Sequence, residues 1–228
     1  MKHKSIFHKS LYIIDNQLSP QFCSHLINKF EEDKEGQNPG VTAGGHTPKI
    51  KQSTDLEITF GPTKNEWLAE DKTLSEALSN GVIKYDAYLA KHLTGIQVNP
   101  DMFDTGHQMQ RTSPGGFYDW HCDACDTRQL TYIFYLNDVK GGDGYTEFCD
   151  GTRIYPKAGR MLIFPADWLH VHRGVAPKKD LKYIITGWLY TKYTGDRHVM
   201  KMSGLPTPEE LQQHNHDHLE HQQTTEIH

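Results

Sequence analysis

The spacing of the apolar residues changes at Gly95, and that change constrains the fold more than any other feature of the chain. Before it, Leu74, Leu78, Val82, Tyr85, Leu89 and Leu93 recur at intervals of four and three, which lays one apolar stripe along a helix. Thr73 and Glu76 have capping-box spacing, and Gly95 can end that helix. An earlier helix is predicted from Ser19-Pro20, an N-cap followed by proline at the first helical position, with Phe22, Leu26, Ile27 and Phe30 on its apolar face. Tyr12-Ile13-Ile14 reads as a short strand before it, and Lys34 to His46 as a loop rich in Gly, Asn and Pro. After Gly95 come short β-type runs: Met109–Thr112, Phe117–His121, Leu130–Leu136, Tyr145–Phe148, Thr152–Tyr155, Met161–Phe164, Trp168–His172 and Lys182–Tyr190. Gly- and Pro-rich turns such as Ser113-Pro114-Gly115-Gly116 and Gly141-Gly142-Asp143-Gly144 separate them. Many short strands after two helices predict a mainly β chain, a double-sheet barrel of jelly-roll type with helices packed on one sheet.

Composition narrows the function. No run of about 18 apolar residues exists, so no membrane-spanning helix is expected. The first residues lack the apolar core of a signal peptide, and four cysteines in 228 residues are too few for a disulfide framework. A reducing, cytoplasmic setting is expected. From Pro206 to His228 there are five acids and no Lys or Arg, whereas residues 1–205 balance 24 bases against 24 acids. No basic face is announced, which argues against a nucleic-acid partner. The organisation expected is one domain over 1–205, its barrel core at about 105–192, and an acidic, His-rich tail over 206–228 with little to bury.

The chemistry concentrates around Tyr118-Asp119-Trp120-His121-Cys122-Asp123. On a strand, His121 and Asp123 point to the same face, so an imidazole and a carboxylate can meet one metal. A second His from a distant strand would complete a two-His, one-carboxylate face with positions left open, the ligand set of non-haem Fe(II) oxygenases. Downstream, Lys182 opens an apolar strand whose Lys182, Ile184, Thr186 and Trp188 share a face. A cation facing a barrel interior is costly unless an anion meets it, and a dicarboxylate would supply one.

With these residues in view, the chain resembles the prolyl 4-hydroxylase type of Fe(II)/2-oxoglutarate-dependent dioxygenases. The resemblance rests on Gly115 to Asp123, Arg128 to Asn137, Gly141-Gly142, Thr146-Glu147-Phe148, Pro156 to Arg160, Phe164-Pro165, His172-Arg173-Gly174-Val175 and Lys182 to Trp188, in order over about residues 108–190. It implies a double-stranded β-helix (a jelly-roll or cupin-like barrel) in which His121, Asp123 and His172 bind Fe(II). It also implies that Lys182 pairs with the distal carboxylate of 2-oxoglutarate, assisted by the Tyr135 hydroxyl. The implied reaction consumes O₂ and 2-oxoglutarate, releases succinate and CO₂, and hydroxylates an unactivated C–H, with ascorbate as reductant. The implied partner is a proline-containing peptide or protein.

His170 rivals His172, but His172 sits in the family's His-x-Gly pattern and ten residues before Lys182. Where family members usually carry a Tyr before the glycine turn, this chain has Thr112. Cys122 to Cys125 forms a C-x-x-C with no second pair, so a structural zinc is not expected, and Cys122 should face outward. The segment Lys34 to Lys51 is expected to cover substrate. The alternatives are a hydroxylase of a free amino acid or small molecule, an AlkB-like nucleic-acid demethylase, and a non-catalytic jelly-roll module.

Overall fold

The computed structural model describes residues 9–42, 45–93, 95–124 and 127–191. In chain order the elements are β1 (Tyr12–Ile14), α1 (Pro20–Glu32), β2 (Gln37–Pro39), β3 (Thr54–Glu57), a 3-10 turn (Lys64–Glu66), α2 (Leu68–His92), β4 (Met102–Asp104) and β5 (Gln108–Thr112). Then follow β6 (Tyr118–His121), β7 (Arg128–Tyr135), β8 (Thr146–Phe148), β9 (Arg153–Ile154), β10 (Arg160–Pro165), β11 (His172–Gly174) and β12 (Lys182–Thr191). The strands form an eight-stranded sheet in the order β1-β10-β7-β12-β5-β3-β2, with β4 also on β12, and a four-stranded sheet in the order β6-β11-β8-β9.

Strand alternation divides the side chains of the large sheet between two cores. On β7, Tyr132 and Phe134 turn to the helices while Ile133 and Tyr135 turn to the small sheet; on β10, Met161 and Ile163 oppose Leu162 and Phe164 in the same way. The helices cover the outer face with Leu26 and Phe30 of α1 and Leu74, Leu78, Tyr85 and Leu89 of α2, six of the apolar positions predicted for them. The inner core, with Phe148 and Ile154 from the small sheet, leaves one end of the barrel to polar residues. That end holds the site. The mainly β barrel with helices on one sheet is the architecture anticipated.

Helix α1 begins as expected, with Ser19 Oγ accepting from the Phe22 N–H at 3.1 Å. Helix α2 does not. It starts at Leu68, so Thr73 lies inside it and donates to the Ala69 carbonyl at 2.9 Å instead of capping. Glu70 and Asp71 supply negative charge to its first turn, and buried Glu70 ties it to α1 through Lys29 at 2.8 Å.

Further differences have local causes. Residues 168–171 are not a strand, because the Asp167 carboxylate accepts from the N–H groups of Leu169 and His170 at 2.9 and 3.1 Å and curls the chain into a turn. The segment expected as a loop contains β2, an edge strand that tolerates Pro39 and pairs with β3. Neither β2 (Gln-Asn-Pro) nor β3 (Thr-Asp-Leu-Glu) shows apolar alternation, which is why they were not predicted. The expected tail, 206–228, and Cys125 lie outside the described residues. Among the described residues no helix is long and apolar enough to cross a membrane.

Gly187 is required where β12 passes over Tyr132. A Cβ there would collide with the Tyr132 hydroxyl and lie 2.6 Å from the Gly106 carbonyl oxygen. The Gly187→Ala variant is expected to lose about 1–3 kcal/mol through overpacking, read as a lower urea midpoint.

Candidate metal centre and co-substrate pocket

The two sheets bring His121 and His172 together because β6 and β11 are neighbours and these residues are paired in register. His121 is the last residue of β6, so Asp123 reaches the site from just past the strand end rather than from the strand itself. Ligand atoms of His121, Asp123 and His172 all lie within 4.8 Å of one another. The His Nε2 to Asp123 oxygen separations, 3.9 and 3.7 Å, are too long for hydrogen bonds and suit groups arranged around a common centre.

Each ring is oriented from behind. His121 Nδ1 is bonded to the Asp119 carbonyl at 2.8 Å and His172 Nδ1 to the His170 carbonyl at 2.9 Å. A carbonyl can only accept, so both Nδ1 atoms carry hydrogen and both Nε2 lone pairs face the centre. Tyr118 stacks on His121 with centroids 3.6 Å apart and planes at 12°, while Phe164 stands edge-on to His172. Burial, and then the neighbouring His172, pushes the His121 pKa down to about 4; burial also lowers that of His172. Both imidazoles are therefore neutral near pH 7, the state in which they can ligate. Thr131 Oγ1 donates to Asp123 Oδ2 at 2.8 Å and fixes the carboxylate. The donor set fits Fe(II): two neutral imidazoles and one held carboxylate, with the facing side open to a cavity. Thr131→Val is expected to weaken iron binding by about 10–100-fold with the fold retained, as loss of a partner behind a ligand typically does, measured by metal titration.

The cavity beside this trio has a volume of about 270 Å³. Lys182 lines it, 4% exposed, opposite Thr112 across the β12–β5 pair. Its pKa is pushed down to about 8 by burial alone. Among the described residues no carboxylate pairs with it. Ile184, Thr186 and Trp188 share its face and line the same cavity, as their alternation required. Tyr135 is fully buried below, its ring 5.9 Å from Lys182 Nζ, and its hydroxyl donates to Thr146 Oγ1 at 2.8 Å. Thr146, not Tyr135, is the side chain on the cavity wall.

His170 points away from the metal trio. Its ring is bonded to Asp167 and Ser10 at 2.6 and 2.8 Å. Cys122 is exposed, as expected of a residue between His121 and Asp123, and its thiol donates to the Asp167 carbonyl at 3.2 Å. The segment expected to cover substrate does reach the cavity: Val41, Thr42 and Lys51 line it.

Three further features were not anticipated. Lys51 is 3% exposed, pairs with Asp55 at 2.6 Å and sits 5.3 Å from the Tyr118 ring centroid. Arg128 sits over Trp188 with its Cζ 3.9 Å from the ring centroid, and its Nε donates to the Tyr190 hydroxyl at 2.6 Å. Thr131 is the third, as the donor that holds Asp123. The only sequence signal for Lys51 is an i,i+4 pair with Asp55, indistinguishable from a solvated one.

A double-sheet barrel holding a His-Asp-His face beside a buried, carboxylate-free lysine defines the class of non-haem iron, 2-oxo-acid-dependent oxygenases. Residues 107–190, the barrel that carries the site, match the family model described as the 2OG-Fe(II) oxygenase superfamily, and this match supports a 2-oxoglutarate/Fe(II)-dependent dioxygenase. No curated protein matches it. Its fold is that of prolyl hydroxylases of known structure. The viral collagen prolyl hydroxylase of Paramecium Bursaria Chlorella virus-1 is 23% identical with a TM-score of 0.57, the match covering 80% of this chain and 96% of that one. A Trichoplax adhaerens prolyl hydroxylase in complex with a peptide fragment of the hypoxia inducible factor oxygen degradation domain is 19% identical with a TM-score of 0.62, covering 81% and 84%. A Pseudomonas putida prolyl-4-hydroxylase is 20% identical with a TM-score of 0.55, covering 79% and 92%. The match to an oxygenase family sets aside the non-catalytic module.

Proposed function

We propose that this dioxygenase hydroxylates a prolyl residue of a peptide or protein, with Fe(II) held by His121, Asp123 and His172 and the distal carboxylate of 2-oxoglutarate held by Lys182. The observation that carries this reading is one cavity with metal-binding donors and a buried lysine lacking a carboxylate partner both on its wall, which suits a dicarboxylate spanning the two. Bound there, Fe(II) supplies the activation of O₂ that oxidises both the 2-oxo acid and the substrate C–H bond. The balance is substrate C–H plus O₂ plus 2-oxoglutarate, giving C–OH, succinate and CO₂.

The chain's own residues do the positioning. Lys182 fixes one end of the co-substrate and Thr146 offers a hydroxyl beside it. Thr131 and the Asp119 and His170 carbonyls keep the three ligands aimed. Tyr118, Phe148 and Phe164 exclude water from the imidazoles. The prime substrate enters past Val41, Thr42 and Trp188, and the segment from 34 to 51 covers it. The free thiols of Cys23, Cys122 and Cys149 are compatible with action in a reducing, cytoplasmic setting, with ascorbate keeping the iron reduced.

One observation favours a second reading, a free amino acid as substrate. Arg128 lines the cavity and has no carboxylate partner among the described residues, so it is placed to take a substrate carboxylate. The test is incubation of a proline-containing peptide library, and separately free amino acids, with iron, 2-oxoglutarate and ascorbate, followed by mass spectrometry. Gain of one oxygen on peptide proline supports the proposal; gain only on a free amino acid replaces it with the second reading.

A further inference from the structure

His170 is left unused by the metal centre, and its surroundings have a chemistry of their own. Its Nδ1 lies 2.6 Å from Asp167 Oδ1 and its Nε2 lies 2.8 Å from Ser10 Oγ. An ionised carboxylate only accepts, so Nδ1 carries the hydrogen, and in the neutral ring Nε2 then accepts from the Ser10 hydroxyl. That is the order of a nucleophile, its base and the group that orients the base. The Ser10 main chain is fixed by the Tyr85 hydroxyl, which donates to its carbonyl at 2.8 Å.

Ser10, Asp167 and His170 line a cavity of about 470 Å³ that shares no lining residue with the metal cavity. It lies between the end of α2 and the large sheet, walled by Tyr85, Leu89, Leu93, Ile96, Leu130 and Leu169. An apolar chamber of this size with a few convergent polar groups is the usual form of a small-molecule site. Gln97 and Asn99 line it too, residues whose amides are of the type that can donate to a developing oxyanion.

We propose that this cavity is a second active site, a hydrolase acting on esters with an apolar acyl chain, in which Ser10 is the nucleophile, His170 the base and Asp167 a positioning residue. Ser10 Oγ attacks the ester carbonyl while its proton passes to His170 Nε2. The C–O bond to the alcohol breaks, and the alkoxide leaves with that proton. Water, deprotonated by His170, then attacks the acyl-serine and releases the acid, so that ester plus water gives acid plus alcohol with no oxidant consumed.

The test uses the full chain, treated with a fluorophosphonate and mapped by mass spectrometry, and assayed in parallel on p-nitrophenyl butyrate with a metal chelator present. The expected result is covalent label on Ser10 and ester hydrolysis that falls at least tenfold in Ser10→Ala, while iron-dependent oxidation of 2-oxoglutarate by that variant is unchanged. Hydrolysis by the chain's other histidines persists in Ser10→Ala and sets the background. Asp167→Asn, which favours the opposite tautomer of His170, is expected to lower kcat for p-nitrophenyl butyrate at least tenfold with KM little changed, and Asp167→Glu to restore part of it, a pattern that a purely structural contact would not produce. No label on Ser10 in the unmodified chain, a result independent of how any variant folds, overturns the proposal. Equal hydrolysis by Ser10→Ala overturns it as well and leaves the three residues as a tether for the chain before β1.

Discussion

Replacing His172 by alanine is expected to abolish turnover while the barrel stays folded. The loss of the neutral Nε2 donor leaves a single imidazole and a carboxylate around the centre, so iron is underheld. The fall in activity should exceed about 100-fold, the upper end of what removing a mere orienting partner costs. His121→Ala should behave alike. The fold tolerates the change because the surrounding aromatic rings of Phe148 and Phe164 belong to an inner core that Leu162, Ile133 and Ile154 also hold. His170→Ala is the control. It removes the neighbouring imidazole but keeps the His170 carbonyl that orients His172, so its effect on oxidation of 2-oxoglutarate should be small. Turnover and iron titration, with circular dichroism to verify the fold, check the set. Full activity in His172→Ala alongside loss in His170→Ala would reverse the ligand assignment.

Lys182→Met should separate binding from stability. A buried carboxylate deprived of its cation costs about 2–5 kcal/mol, so the Michaelis constant for 2-oxoglutarate should rise by roughly 30-fold or more while iron affinity changes little. Without co-substrate, the same substitution is expected to stabilise the protein. The lysine pKa is lowered from 10.5 to about 8, entirely by burial. Below pH 8 it is charged in both folded and unfolded chains, and the folded chain bears the cost of holding that charge out of water. Between about pH 8 and 10.5 only the unfolded chain holds the proton, so stability rises with pH, recovering about 3 kcal/mol across the window. Lys182→Met should therefore unfold at a higher temperature than the parent at pH 7, and the gap should close toward pH 10.5. A variant less stable at pH 7, or with unaltered dependence on 2-oxoglutarate, contradicts this account of Lys182.

What was legible in the sequence follows the range of the signals. The β12 face Lys182, Ile184, Thr186, Trp188 is set by strand alternation, a purely local rule, and all of these residues line the cavity. His121 and His172 meet because β6 and β11 pair, and that pairing is long-range; only the linked motifs of the family pointed to it. Local competition defeated other readings. Asp167 curls residues that alternate like a strand, and Thr73 bonds within a helix whose start is set by packing against α1 rather than by a cap. Lys51 and Asp55 look like a solvated pair in sequence, and only the approach of the 47–52 segment to β6, with the Gln52 N–H donating to the Phe117 carbonyl at 2.7 Å, buries them at the cavity. Ser10 and His170 are 160 residues apart, beyond any local pattern.

Coupling of iron, O₂ and 2-oxoglutarate in this cavity underlies the proposed reaction. It is tested most directly by measuring succinate formed from 2-oxoglutarate by the full chain, with and without Fe(II) and O₂, alongside His172→Ala. Succinate is expected only when protein, iron and O₂ are all present, with background levels from the variant. Equal succinate from His172→Ala, or none from the parent chain loaded with iron, would contradict it.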